Sequence, residues 1–374
     1  MKKDENDLFD YERAEVDVRL GNLEGNTRAL KEFSSPAGLL AVVKANAYGH
    51  GAEEVCRVLE PYVRGFGVSD ISEAVALRRS GVGKPILVFG RTHESSARLL
   101  CEFGITQTVF SEEYAKSLSL ACPTGGRISV HIKTDTGMSR FGMGIEDAFV
   151  AVGRILRLKN LSVEGIYTHL AASDGRDLFD KAYTRRQIER FSELLVRLEN
   201  RGIVFPYRHC CASGGIPVNA PEFNLVRAGL ALYGCESYKG YPVPLREVMT
   251  LKSRIVSVKR LKKGSFIGYG CSEALEKDSF ILVAAIGYAD GYPRSLSGKG
   301  KVFVRGKPLR VIGRVCMDLL MLDGEDGEFE VGDEVGIFGF GTPVGISDFA
   351  SSCGTIPYEV LCRISPRVPR RYIR

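Results

Sequence analysis

The chain has 374 residues, 44 % of them hydrophobic and 26 % charged, with a formal net charge of +6. That length allows two or three domains, or one large barrel plus a second unit, and the composition is that of a globular protein. The mild basic excess is spread along most of the chain and is densest over Arg363–Arg374, which argues against nucleic-acid binding, and no run of 18 apolar residues offers a membrane span.

The first seven residues are charged with no apolar stretch behind them, so a signal peptide is not expected. Ten cysteines occur, several in apolar strings such as Cys210-Cys211, with neither a CxxC pair nor a regular ligand spacing. They read as free thiols in a reducing cytoplasm, not as disulfides or a metal site.

From residue 38 to about 230, eight short apolar runs alternate with amphipathic stretches. The runs are Gly38–Val43, Gly65–Ser69, Pro85–Phe89, Thr106–Phe110, Arg127–Ile132, Leu161–Thr168, Tyr207–Ala212 and Asn224–Gly229. Between them, helices are expected over Ala52–Leu59, Ile71–Ser80, Glu94–Phe103, Glu112–Leu120, Ile145–Leu158 and Arg185–Asn200, and a turn over Gly214–Pro217. Alternating strand and helix implies a parallel sheet, and eight repeats imply a (β/α)8 barrel with its site at the C-terminal strand ends. A doubly wound open sheet is the competing architecture, but the G-x-G-x-x-G turn it would usually carry is missing. Past Tyr241–Pro244 the character changes. Arg246–Lys262, Phe280–Ile286, Lys301–Val304, Leu309–Val315 and Glu334–Phe338 are short, β-rich and separated by Gly and charge clusters. The division expected is a barrel domain over 1–243 and an all-β domain over 244–374. Ala14–Val18 is also strand-like.

On the barrel reading, Lys44, Lys133, His169, Ser213 and Arg227 all fall at strand ends and so converge on one face. Lys44 stands where the apolar run stops, and a lysine at the rim of a core can lose its proton and act as a nucleophile.

The string K-A-N-A-Y-G-H-G (Lys44–Gly51) resembles the cofactor-lysine segment of alanine racemases. The resemblance runs from Ala14 to Tyr372. It is carried by H-I-K-T-D-T-G-M-S-R-F-G (His131–Gly142), His169, Ser213, V-R-A-G-L-A-L-Y-G (Val226–Gly234), G-Y-G (Gly268–Gly270), I-G-Y-A-D-G-Y-P-R (Ile286–Arg294), G-R-V-C-M-D (Gly313–Asp318) and Y-E-V-L-C-R-I-S-x-R-V-P-R (Tyr358–Arg370). It implies a homodimer that binds pyridoxal 5′-phosphate (PLP) and interconverts L- and D-alanine, supplying D-alanine for peptidoglycan. The Ala14–Val18 strand would then pair with the β domain.

The resemblance also assigns roles. Lys44 would carry PLP covalently and serve as acid/base on one face of the substrate. Tyr269, from the other subunit, would serve on the opposite face, its pKa lowered by a network through His169 and Arg227. Arg227 would face the pyridine nitrogen; a guanidinium has no acceptor, so that nitrogen would stay unprotonated. Tyr48, Ser213, backbone N–H groups at Gly229 and Leu230, and Tyr358 would hold the phosphate. Arg140 would meet the phenolic oxygen of PLP and help with the substrate carboxylate. Met317 and Asp318 would come from the partner beside Tyr269. Lys133 matches a position where the lysine is often carbamylated, giving an anion that fixes Arg140. Tyr288, Tyr292 and Arg294 would line the access path.

Two positions depart from the family pattern on the phosphate side, Ala212 in place of the usual Asn and Ala228 in place of the usual Pro. His50, His93 and His209 match no functional position and read as structural or exposed. The alternatives are a racemase of serine or of several amino acids, a PLP decarboxylase of the same architecture, and a non-catalytic PLP carrier. Arg227 and the Tyr269 segment speak against the decarboxylase, and the extra β domain against the carrier.

Overall fold

The computed structural model describes residues 13–218, 220 and 222–374. The chain divides into two compact units, Leu23–Leu245 and a second made of Arg246–Arg374 with the residues up to Asn22. The first residues therefore group with the β unit, not with the barrel, and the division after Leu245 lies two residues beyond the expected 243/244 boundary.

Strand β1 (Glu15–Arg19) belongs to the second unit. The first unit holds β2 (Gly38–Val42), β3 (Gly65–Val68), β4 (Ile86–Val88), β5 (Thr106–Val109), β6 (Ile128–Lys133), β7 (Leu161–Tyr167), β8 (Tyr207–His209) and β9 (Leu225–Ala228). They form one parallel sheet in the order β8-β7-β6-β5-β4-β3-β2-β9. A bridge between Ala212 and Arg227 joins its two ends, with Arg227 N–H donating to the Cys211 carbonyl at 2.9 Å, so the sheet closes into a barrel. All eight expected strands are present because parallel strands are covered on both faces and read as apolar runs. Leu40, Leu87 and Leu225 pack inside it.

The surrounding helices start where the sequence provides caps. Asp70 accepts from Ser72 N–H and Glu73 N–H to start Ile71–Arg79, Ser111 caps Glu112–Ala121, and Asp177 caps Leu178–Glu199. That last helix begins seven residues before the expected Arg185, because the cap outweighs the weak amphipathic pattern of its first two turns.

In the second unit, β10 (Met249–Leu261) is the spine. The other strands are β11 (Phe266–Ile267), β12 (Glu273–Ala274), β13 (Ser279–Ala284), β14 (Lys301–Val304), β15 (Lys307–Ile312), β16 (Leu320–Asp323), β17 (Glu334–Gly339) and β18 (Arg370–Ile373). The N-terminal half of β10 pairs with β17 and β1, and its C-terminal half with β13, past a register shift between Ile255 and Ser257. The bend lets one strand close the circuit β10-β13-β16-β15-β14-β17. Ile267, Leu275, Ile281 and Ile312 fill part of its interior.

β1 lies between β10, to which it is antiparallel, and β18, to which it is parallel. The seam is charged. Lys252 Nζ on β10 is 2.9 Å from Asp17 Oδ2, 3.1 Å from Glu15 and 3.4 Å from Glu334, while Arg371 on β18 bonds Asp17 through Nε at 2.8 Å. Burial alone would raise the Asp17 carboxyl, but the bonds from Arg371 and Lys252 outweigh it and hold it below the usual range. A depressed carboxylate stabilises the fold above its unfolded pKa, and that contribution disappears as pH falls through the folded value. Asp17→Ala leaves the Lys252 ammonium with a weaker set of partners, so the variant is expected to unfold about 3 kcal/mol more easily in urea at pH 7. The difference between variant and parent should shrink below about pH 4.

Candidate active site

The first element of the site is a strained turn. After β2, Ala45, Asn46, Ala47 and Tyr48 all have φ between +52° and +53°, a left-handed turn built from non-glycine residues. Such a conformation costs roughly 1–2 kcal/mol per residue, so the surroundings must hold it. Glu73 does so with one oxygen on Ala45 N–H at 2.6 Å and the other on Ser69 N–H at 2.7 Å. Asn46 Oδ1 accepts from Ala52 N–H, and His50 Nδ1 sits 3.0 Å from the Ala47 carbonyl, its ring stacked on Tyr233 at 4.4 Å. The turn leaves Lys44 exposed at the C-terminal end of β2 and buries Tyr48.

The Tyr48 hydroxyl faces Gly229. A Cβ added at Gly229 would lie 2.6 Å from Tyr48 Oη, so the glycine is required by this close approach. Ser213 Oγ accepts from Gly229 N–H at 2.9 Å and Ala231 N–H at 3.3 Å, and the Tyr241 hydroxyl donates to the Ser213 carbonyl at 2.7 Å. Backbone and hydroxyl groups from the ends of β8 and β9 thus meet the Tyr48 phenol in one small polar cradle.

Arg227, 3 % exposed, occupies the barrel centre. Its Nη2 donates to the Thr168 carbonyl at 2.9 Å and the Cys210 carbonyl at 2.8 Å, and lies 3.2 Å from His169 Nδ1; its Nη1 lies 2.6 Å from His209 Nδ1. A guanidinium only donates. Nη2 has two hydrogens for its three neighbours, so its contact with His169 shares one with a carbonyl; both imidazoles face guanidinium N–H groups, accept at Nδ1 and carry their proton on Nε2. Burial, and then the charge of Arg227, push His169 down to about 3, and the same two causes push His209 well down. Both rings are neutral at pH 7.

Lys133 ends β6 with its Nζ buried and without a hydrogen-bond partner among the described residues, 5.2 Å from the ring centre of Tyr167. Burial and then Arg227 lower it to about 8. Asp135 Oδ1 accepts from the N–H groups of Gly137, Met138 and Ser139, which shapes the loop carrying Arg140.

These bonds engage both terminal nitrogens of Arg227, and none of them uses Nε–H. A donor at the barrel centre, a hydroxyl-and-amide cradle at one side and a lysine at the rim suit an aromatic heterocycle bearing a phosphate. The residues present fit PLP, and the Asn and Pro that Ala212 and Ala228 replace are not needed to form the cradle.

Lys44, Tyr48, Lys133, Arg140, His169, Ser213, Arg227, Gly229 and Leu230 all lie in the barrel unit, at or after the C-terminal ends of its strands. Tyr269, Tyr288, Arg294, Met317, Asp318 and Tyr358 belong to the β unit. There, Tyr288 N–H donates to the Cys316 carbonyl and Ala289 N–H to the Met317 carbonyl, both at 3.0 Å, while Arg367 bonds Asp318 at 2.8 Å. Tyr269, between Gly268 and Gly270 with φ of +68° and +72°, is 70 % exposed. Tyr292 is fully buried with burial pushing its phenol up, so it is a core residue and not part of an access path. His209, assigned from sequence to a structural or exposed place, contacts Arg227 directly. Glu73, His131, Asp135 and Tyr167 also escaped the sequence reading. For the histidines a signal existed: imidazoles inside expected barrel strands replace the branched apolar groups that usually fill a barrel.

The model of the alanine racemase N-terminal domain matches residues 18–237, and that of the C-terminal domain matches 248–372. The chain is 44 % identical over 366 residues to an alanine racemase of Desulforamulus reducens, covering 94 % of this chain and 97 % of that one. It is 39 % identical to that of Desulfovibrio desulfuricans, over 96 % and 97 %. Among solved structures, an alanine racemase of Clostridium difficile superposes with a TM-score of 0.90 at 34 % identity, over 96 % of each chain. One from Bacillus anthracis, with bound L-Ala-P, superposes at 0.90 and 31 %, over 97 % and 96 %.

The close approach at Gly229 is open to a direct test. Gly229→Ala should displace the Tyr48 hydroxyl and raise the dissociation constant for PLP about tenfold, the worth of one good hydrogen bond. Absorbance titration of the apoprotein with PLP measures it.

Proposed function

The chain belongs to the alanine racemase family, and from that premise and the geometry of the barrel mouth we propose how its residues divide the work. The protein is a PLP-dependent isomerase that interconverts L- and D-alanine; supply of D-alanine for peptidoglycan is the general role of the family. PLP withdraws electrons from the substrate α-carbon and makes its C–H acidic.

Lys44 holds the cofactor covalently and takes or returns the α-proton on one face. Tyr269 does so on the other. His169, its Nδ1 occupied by Arg227, has only its Nε2–H to offer, and that donor stabilises a Tyr269 phenolate. Arg227 offers Nε–H to the pyridine nitrogen, which accepts because arginine cannot. The observation that carries this reading is the donor-only contact of Arg227 with a neutral His169. A carboxylate in that place would accept from a protonated ring nitrogen, and so favour decarboxylation. Tyr48, Ser213, Gly229 and Leu230 hold the phosphate with Tyr358, and Arg140 and Met317 receive the substrate carboxylate, with Asp318, Tyr288 and Arg294 around them.

We place the enzyme in the cytoplasm on its cysteine usage; among the described residues no helix is long and apolar enough to cross a membrane. The working form is a homodimer with shared sites. Supporting this, Tyr269, Tyr288 at 43 % and Met317 at 53 % leave large apolar groups exposed on the β unit, which a two-fold-related barrel would cover.

Loss of optical rotation from L-alanine, with L-serine and carbon dioxide release followed in parallel, tests the activity. Tyr269→Phe should slow racemisation by roughly 10²–10⁴-fold. Lys44→Ala should abolish covalent capture of PLP by borohydride, and mixing the two variants should restore activity through one intact site per heterodimer. Dead mixtures in which subunits demonstrably exchange would refute shared sites.

Lys133, buried without a hydrogen-bond partner among the described residues, supplies a carbamate after reaction with carbon dioxide, and that anion faces Arg140. The free amine is the reactive form, so carbamate content should rise with pH through about 8. Native mass spectrometry should show a carbon dioxide adduct that is lost in Lys133→Met.

A further inference from the structure

We propose that His131, two residues before Lys133 on β6 and separated from Arg227 by His209, is a positioning residue for the reaction: it accepts the Nε2–H of His209 and so fixes the ring that holds Arg227.

The geometry is a chain of single directed bonds. Arg227 Nη1 is 2.6 Å from His209 Nδ1, and His209 Nε2 is 3.0 Å from His131 Nδ1. Because the guanidinium only donates, His209 with Arg227 in this position carries its proton on Nε2 and donates that N–H to His131 Nδ1. His131 then carries its own proton on Nε2. Each tautomer follows from the one above it, starting at Arg227. If His209 flipped, two N–H groups would confront each other at Arg227, and the guanidinium would have to move. His131 removes that choice by offering an acceptor on the other side.

The barrel is built around this chain. His131 and His209 are both at most 4 % exposed. The register of β6 on β7 shifts between Val130 and His131, which sets the direction of the His131 ring. Opposite it stands Gly165, where an added Cβ would fall 2.7 Å from His131 Cε1. Tyr167 stacks on His209 at 4.6 Å and 5°, and Tyr207 on His131 at 5.6 Å. Two imidazoles replace the branched side chains that would fill this space at no polar cost. Burial, then the charge of Arg227, push His131 down to about 3, so the pair stays neutral throughout the working range.

The proposal rests on the placement of Arg227 at the cofactor, and the experiment separates the two. Three variants are compared with the parent as holoenzyme and apoprotein: His131→Leu, which has no acceptor; His131→Asn, whose side-chain oxygen can accept from His209; and Gly165→Ala, which leaves the imidazole but pushes it aside. Long-range ¹H–¹⁵N spectra of the apoproteins report the His209 tautomer. A single Nε2–H form is expected in the parent and His131→Asn, and a mixture in His131→Leu and Gly165→Ala. In the holoenzymes, kcat should fall about tenfold in His131→Leu and Gly165→Ala with KM for alanine within twofold, and His131→Asn should recover most of it. Should His131→Leu fail to fold, Gly165→Ala against the parent decides the matter. A single His209 tautomer and unchanged kcat in the folded variants would overturn the proposal, as would His131→Asn no better than His131→Leu. Arg227→Ala is the control for the reading beneath it: full activity there would refute the placement of Arg227, whereas failure of the His131 proposal alone leaves Arg227→Ala defective.

Discussion

A buried cation whose hydrogen-bonded partners include no carboxylate organises the barrel. Arg227 is held by two main-chain carbonyls and two imidazoles. An isolated charge is costly to bury, and these partners engage its two terminal nitrogens without neutralising it. The uncancelled charge then acts on everything nearby. Burial and then this charge keep two histidines neutral and depress Lys133, and the guanidinium fixes where the histidine protons sit. A carboxylate partner would have satisfied the same donors and cancelled the share due to the charge. The chemistry available at the barrel mouth is therefore set by what Arg227 is not paired with.

The alternation of strand and helix was readable because strands covered on both faces must be apolar, and helix caps such as Asp70 and Ser111 mark starts by their own side-chain chemistry. Other features left little local trace. Of Ala45, Asn46, Ala47 and Tyr48 only Asn46 is of a type that favours the left-handed region; the conformation is held in part by Glu73, 28 residues from Ala45. The part His209 plays depends on a residue 18 positions later that reaches it only when the barrel closes. The residues named from motifs were legible as a set, while their electrostatic states needed burial, which a sequence does not state. The grouping of the first residues with the β unit was visible only as a strand-like segment with no partner next to it in the chain.

The site also shows how a strained element can be made reliable. The left-handed turn is held by main-chain bonds, a side-chain amide, a carboxylate and a stacked imidazole, so no single contact bears its whole cost. Glu73 is placed for this by the helix cap at Asp70, one turn earlier. Lys44, proposed to hold the cofactor, thus stands on a backbone whose geometry is set from the neighbouring βα unit.

The place of β1 between β10 and β18 has a consequence during synthesis. The barrel unit is one continuous stretch and can fold while the rest of the chain is still being made. The sheet of the β unit cannot, because the last two strands in its order, β1 and β18, lie far apart in the sequence. Strand β18 (Arg370–Ile373) is made long after β1 (Glu15–Arg19). Strand β1 must therefore wait, with one edge open, until β18 emerges. The arrival of β18 becomes the event that completes the sheet, and a chain cut before Arg370 is left with that edge of β1 unpaired.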